Sequence, residues 1–82
     1  AKIDQVLTAE NFARVHVGQS RDDVRRLLGK PTKVEAFRLK QEEVWGYKWM
    51  ESPTDKAFFN VHFGPDGRVT TTSRSDNRLN GA

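Results

Sequence analysis

Residues 17–31 read Val17-Gly18-Gln19-Ser20-Arg21-Asp22-Asp23-Val24-Arg25-Arg26-Leu27-Leu28-Gly29-Lys30-Pro31, and both ends of a short helix are legible in them. Ser20 is a preferred N-cap whose hydroxyl can accept from a first-turn amide, and Asp23 three residues on can reach back to complete a capping box. Asp22 and Asp23 suit the positive start of the helix dipole, and Arg25 and Arg26 suit its carbonyl end. Val24, Leu27 and Leu28 stand at i, i+3 and i+4 and share one face. Gly29 is expected to supply a left-handed stop, and Pro31 forbids continuation. A helix of about eight residues is not stable alone in water, so this apolar face needs a surface elsewhere in the chain.

Upstream, Thr8 caps a second short helix expected over residues 9–15, with Leu7 and Phe12 placed as a hydrophobic staple. Residues 16–19, with Gly18, link the two helices. After Pro31 the apolar period changes from 3.6 to 2. Val34 and Phe37 give a weak strand signal over residues 32–39. Trp45, Tyr47 and Trp49 alternate with Gly46, Lys48 and Met50, so three rings point to one side of a strand, and Phe59, Val61 and Phe63 repeat the alternation after a loop containing Ser52, Pro53 and Asp55.

The next hairpin can be given a register. With Pro65 and Asp66 in a type I turn and Gly67 in the left-handed position, Gly64 closes opposite Arg68. Phe63 then faces Val69, Val61 faces Thr71 and Phe59 faces Ser73, whereas a four-residue loop would send Val69 to the other side of the sheet. Helix, helix, then three or four antiparallel strands is an α+β two-layer domain, with the helices on the aromatic face and the opposite face wet. The domain is expected over residues 1–74. Residues 75–82 have no periodicity and are expected to be a mobile tail.

The chain has 82 residues, enough for one domain with a small core. The apolar fraction is 35% and the charged fraction 30%, so burial concentrates in two Trp, five Phe and one Tyr. Fourteen Lys and Arg against eleven Asp and Glu give +3, dispersed along the chain without a block of like charge. That pattern describes a mildly basic solvated surface. There is no Cys, hence neither a disulfide framework nor a thiolate zinc site. No apolar run approaches the 18 or so residues of a membrane span. The start, Ala-Lys-Ile-Asp, lacks an initiator Met and a signal-peptide pattern, and is expected to mark an excised or processed fragment.

No catalytic, cofactor-binding or metal-binding residue is expected. Asp22 and Asp23 are adjacent on a helix and point in different directions, which suits capping better than a carboxylate pair. A metal site on His16 and His62 lacks further ligands at recognisable spacing. Ser20 has no second glycine of a nucleophile elbow, and Gly29-Lys30 has Val24 where a phosphate-binding loop needs its earlier glycine. Arg21, Arg25 and Arg26 on the second of two short helices superficially suggest a helix-turn-helix, but Asp22 and Asp23 would face phosphate, so nucleic acid is disfavoured. Lys48, Met50 and Phe58 fall on the face opposite the aromatic rows and form a candidate interaction surface.

The ordered set Val17-Gly18-Gln19-Ser20, Val24, Leu28-Gly29, Pro31, Trp45, Tyr47, Val61, Phe63, Gly67 and Val69 resembles the SmpA/OmlA family of BamE-like outer-membrane lipoproteins over about residues 9–72. The resemblance implies a β-lactamase-inhibitor-like helix-helix-sheet fold. It also implies a non-catalytic role on the periplasmic side of the bacterial outer membrane, supporting β-barrel assembly or envelope integrity through components of the assembly machinery or other envelope proteins. The family's lipid-bearing Cys is missing here, so a lipid anchor would lie outside this chain, and Gln5-Val6-Leu7-Thr8-Ala9-Glu10-Asn11-Phe12 would suit the start of a second repeat in a tandem member. A homodimer through strand edges is the further partner expectation. The alternatives are a soluble inhibitor-type module that docks into an enzyme and, behind it, nucleic-acid binding through Arg21, Arg25 and Arg26.

Overall fold

In a computed structural model, residues 7–50 and 56–76 are described, the side chains of Met50 and Asp76 excepted. Two helices, α1 (Ala9–Phe12) and α2 (Arg21–Leu28), precede four strands, β1 (Lys33–Phe37), β2 (Glu42–Met50), β3 (Lys56–Phe63) and β4 (Val69–Asp76). The strands form one antiparallel sheet in the order β1-β2-β3-β4. This is the expected α+β architecture with four strands.

α1 is shorter than the residues 9–15 expected. Thr8 caps it by accepting from Asn11 N at 3.1 Å. The chain then tightens, with Arg14 N donating to Asn11 O and Val15 N to Phe12 O, bonds three residues apart in place of four. Gln19 holds this turn from below: its Oε1 accepts from His16 N at 2.9 Å and its Nε2 donates to Arg14 O at 3.3 Å. The link continues by pairing with the start of β4, where Gly18 N donates to Val69 O and Val69 N to Gln19 O, each at 2.8 Å.

α2 matches its signals. Ser20 Oγ accepts from Asp23 N and Asp23 Oδ2 accepts from Ser20 N, the full capping box. Its stop differs from the expected left-handed cap: Gly29 has φ 81° and ψ −161°, a region that essentially only glycine occupies. That conformation turns Gly29 O toward the sheet, where it accepts from Tyr47 Oη at 2.8 Å.

The core lies between helices and sheet. Val24, Tyr47, Val61 and Phe63 are fully buried, joined by Phe12, Val15, Leu28, Trp45, Phe59 and Val69, with Leu7, Leu27 and Trp49 packed against them. All the residues expected on this face are there. Phe12 stacks on Phe59 at 4.3 Å between centroids and meets Trp49 edge-on at 4.8 Å. Trp49 is only partly buried, and its Nε1 finds no acceptor among the described residues.

Burial fixes the chemistry of Tyr47. Its hydroxyl is pushed up to about 12 by desolvation, against the opposing pull of Arg25. The unfolded chain therefore releases this proton first as pH rises above about 10, and stability contributed by the neutral phenol is progressively lost between there and about 12. We expect Tyr47→Phe to flatten that alkaline loss while costing about 0.5–1.5 kcal/mol at pH 7 for the missing bond to Gly29. Urea titrations at neutral and alkaline pH check both signs, and parallel alkaline losses in the two proteins would contradict the assignment.

The β3–β4 hairpin closes as expected, with Gly64 N donating to Arg68 O at 2.9 Å, Gly67 at φ 78° and Phe63 opposite Val69. Beyond that pair the expected register is corrected. Thr71 lies opposite His62, Thr72 opposite Val61 and Arg74 opposite Phe59, because Thr70 is an extra residue between Val69 and Thr71. Its hydroxyl donates to His62 O at 3.3 Å, and the bulge reverses which side chains of β4 face the helices. Val69 stays in the core, while Ser73 and Ser75 go to the other face. β4 runs through Asp76, two residues past the expected end of the domain at 74; residues 77–82, expected to be mobile, lie outside the described residues. Alanine at Gly67 is expected to cost about 1–2 kcal/mol, since a β-carbon is penalised at positive φ. That carbon would also stand 2.6 Å from Arg21 Nη1. A chemical-denaturation midpoint unchanged from wild type would argue against the left-handed turn.

Candidate protein-interaction face

The pleat divides the sheet between two environments. Glu43, Trp45, Tyr47 and Trp49 of β2 point toward the helices, so Glu42, Val44, Gly46 and Lys48 point away, together with Phe58, Asn60 and His62 of β3 and Lys33, Glu35 and Phe37 of β1. This open face carries the expected surface residues. Lys48 is exposed and directly opposite Phe58, which is half-buried. Met50 is opposite Lys56 in register, but its side chain lies outside the described residues.

Sequence reading missed Lys33, which belongs to the same patch. Its Nζ sits 5.0 Å from the Phe58 ring centroid, inside cation–π range. The lysine reaches β3 across β2 because Gly46 lies between them: a β-carbon there would come within 3.3 Å of Lys33 Cγ and of Asn60 Oδ1. Thr32 Oγ1 accepts from Lys48 N at 3.0 Å, tying the start of β1 to the same place. Lys48, opposite Phe58 in register, and Lys56, two residues before it on the same face, add two more lysines to this end of the sheet. That patch could not be read from spacing, because Lys33 and Phe58 meet only through the β1-β2-β3 order.

The far end of the face is acidic and hydroxylic. His62 Nδ1 lies 2.8 Å from Glu42 Oε2 and its Nε2 lies 3.1 Å from Ser73 Oγ, and a trough of about 340 Å³ runs past them between β1 and β4. The Glu-His-Ser order is that of an orienting carboxylate, a base and a nucleophile. Ser73 is exposed on the solvent side of the sheet. Asn60 Nδ2 donates to Ser75 Oγ at 3.2 Å. These side chains stitch β2, β3 and β4 together on the solvent side. The trio depends on the bulge at Thr70, which places Ser73 on this face, and so escaped a reading based on sequence spacing.

The other residues weighed from sequence take structural positions. His16 is exposed, and Asp23 belongs to the capping box. Arg21 donates through Nε to Glu43 Oε1 at 2.8 Å and pairs with it through Nη2 at 2.7 Å, while its guanidinium lies 5.6 Å from the Phe63 ring. Trp45 Nε1 donates to the other Glu43 oxygen at 3.1 Å. The first arginine of the supposed nucleic-acid helix is therefore engaged in joining α2 to the sheet. A four-residue α1 also falls short of a helix-turn-helix scaffold. Among the described residues there is no cluster of three or more metal-ligating side chains, and no helix long and apolar enough to cross a membrane.

Comparison with known proteins agrees with this architecture. No curated protein matches the chain. Among solved structures, one described as the osmotically inducible lipoprotein OsmE superposes with a TM-score of 0.71 at 22% identity, covering 83% of this chain and 78% of that one. At that identity the likeness establishes the shared fold. Residues 5–73 match the family described as the outer membrane protein assembly factor BamE domain. They include the capped α2, its glycine stop, the aromatic strand pair and the Gly67 hairpin, so the chain belongs to the outer membrane protein assembly factor BamE domain family.

Proposed function

We propose that this domain is a non-catalytic binding module on the periplasmic side of the outer membrane, and that it supports β-barrel assembly by docking an envelope protein on the open face of its sheet. Family membership supports an envelope setting. The observation that favours this face is the basic end built by Lys33 and Lys48 around Phe58. A half-buried ring gives a partner an apolar anchor, and the surrounding ammonium groups select acidic surroundings. The helix side offers less, because its aromatic rows are already buried against α1 and α2. The Glu42-His62-Ser73 trio links β2, β3 and β4 beside the patch.

The test is capture from detergent-solubilised envelope by immobilised domain, comparing wild type with Lys48→Glu, Phe58→Ala. Wild type is expected to retain β-barrel assembly components and the double variant to lose about tenfold or more, the loss of a charge and an aromatic anchor together. Equal capture by both would move the binding surface elsewhere. Salt-sensitive DNA binding with no envelope component retained would reject the proposal.

A further inference from the structure

The sheet has two edges, and they are treated differently. β4 is covered at its start by Gly18 and Gln19, bridged from Ser20 to Arg68, and kinked by the bulge at Thr70. Among the described residues β1 has none of these. Its ladder to β2 is regular from Lys33 to Phe37, every residue is exposed, and Val34 and Phe37 remain 51% and 42% accessible. A bare, regular, partly apolar edge is a template for another strand.

The charges on β1 indicate which strand fits. Antiparallel pairing of two β1 strands must match residues of the same pleat, which leaves few registers. Centring on Lys33 would oppose two lysines, and centring on Glu35 would oppose two glutamates. Centring on Val34 places Lys33 against Glu35 twice, Val34 against Val34, Ala36 against Thr32 and Phe37 against Pro31. Within one chain Lys33 and Glu35 approach only to 3.9 Å, both about half exposed; Glu35 is available to a charge across the edge, whereas Lys33 must swing its ammonium off the Phe58 ring to meet one.

We infer that β1 pairs with β1 of a second copy, antiparallel about a two-fold axis at Val34, joining two four-stranded sheets into one of eight strands. The inference stands on the edge and its charges and does not rest on the function proposed above. About seven residues per copy take part, fewer than the 20–30 a side of a stable interface, so the dimer is weak and concentration-dependent.

The chain has no cysteine, which makes the register directly readable. Under mild oxidation Val34→Cys is expected to give covalent dimers. Lys33→Cys and Glu35→Cys are not, because their symmetry mates lie about 6.6 Å apart along the strands and about 4.8 Å across, beyond disulfide reach. In sedimentation at up to about 1 mM, Lys33→Glu and Glu35→Lys should each weaken association about tenfold by opposing like charges, and the double exchange should restore it. Monomers at every concentration, with Val34→Cys cross-linking no more than an exposed Thr71→Cys control, would overturn the inference. So would preferential cross-linking at Glu35→Cys, or a double exchange as weak as the singles.

Discussion

Phe63→Ala is expected to lower the unfolding free energy by about 3–5 kcal/mol, the range for truncating a buried aromatic ring. Phe63 is fully buried. Its ring meets Trp45 edge-on at 4.8 Å and lies beneath the Arg21 guanidinium at 5.6 Å. Alanine therefore leaves a cavity and also removes the floor from the contact joining α2 to β2. Small domains have total stabilities near the lower end of about 5–15 kcal/mol, so the variant should be largely unfolded at 37 °C. Phe58→Ala is the control. It lies on the same strand but the opposite face, and with one side already open to solvent it should cost about 1 kcal/mol or less. Equal losses in urea titration would contradict the two-faced sheet.

The next largest effect is expected at Gly29, where alanine should cost about 1–3 kcal/mol from backbone strain alone. A β-carbon there would meet nothing within 4 Å, so crowding contributes little. The combination of φ 81° with ψ −161° is what excludes a side chain. Asparagine separates this conformation from an ordinary left-handed cap. In such a cap asparagine is tolerated nearly as well as glycine, whereas here Gly29→Asn should cost as much as alanine. Because Tyr47 donates to Gly29 O, both variants should also loosen Tyr47, visible as faster exchange of its neighbouring amides. Stability retained by the asparagine variant would place Gly29 in the left-handed region after all.

Local signals carried most of the fold. Ser20, Asp23 and Pro31 bounded α2 because caps act within a few residues, and the alternation of Trp45, Tyr47 and Trp49 with Gly46 and Lys48 assigned the core face because strand pleat has no other period. What was illegible depended on partners distant in the chain. The early end of α1 comes from Gln19 folding back onto Arg14 and His16. The bulge at Thr70 follows from pairing β3 while Val69 also pairs with Gly18 and Gln19, and no residue type at Thr70 announces it among three consecutive threonines. The candidate face was half legible. Lys48 and Phe58 were visible by parity, whereas Lys33 joined them only because Gly46 leaves room for its stem across β2.

The claim that the open face of the sheet is the docking surface is tested most directly by site-specific photo-crosslinking in cells that express the protein. A photoreactive residue replaces Phe58 in one strain and the exposed Arg26 of α2 in another. Adducts to a β-barrel assembly component at position 58, with little or none at position 26, are the predicted result. Adducts at position 26 with none at position 58 would contradict the account and transfer the docking surface to the helices.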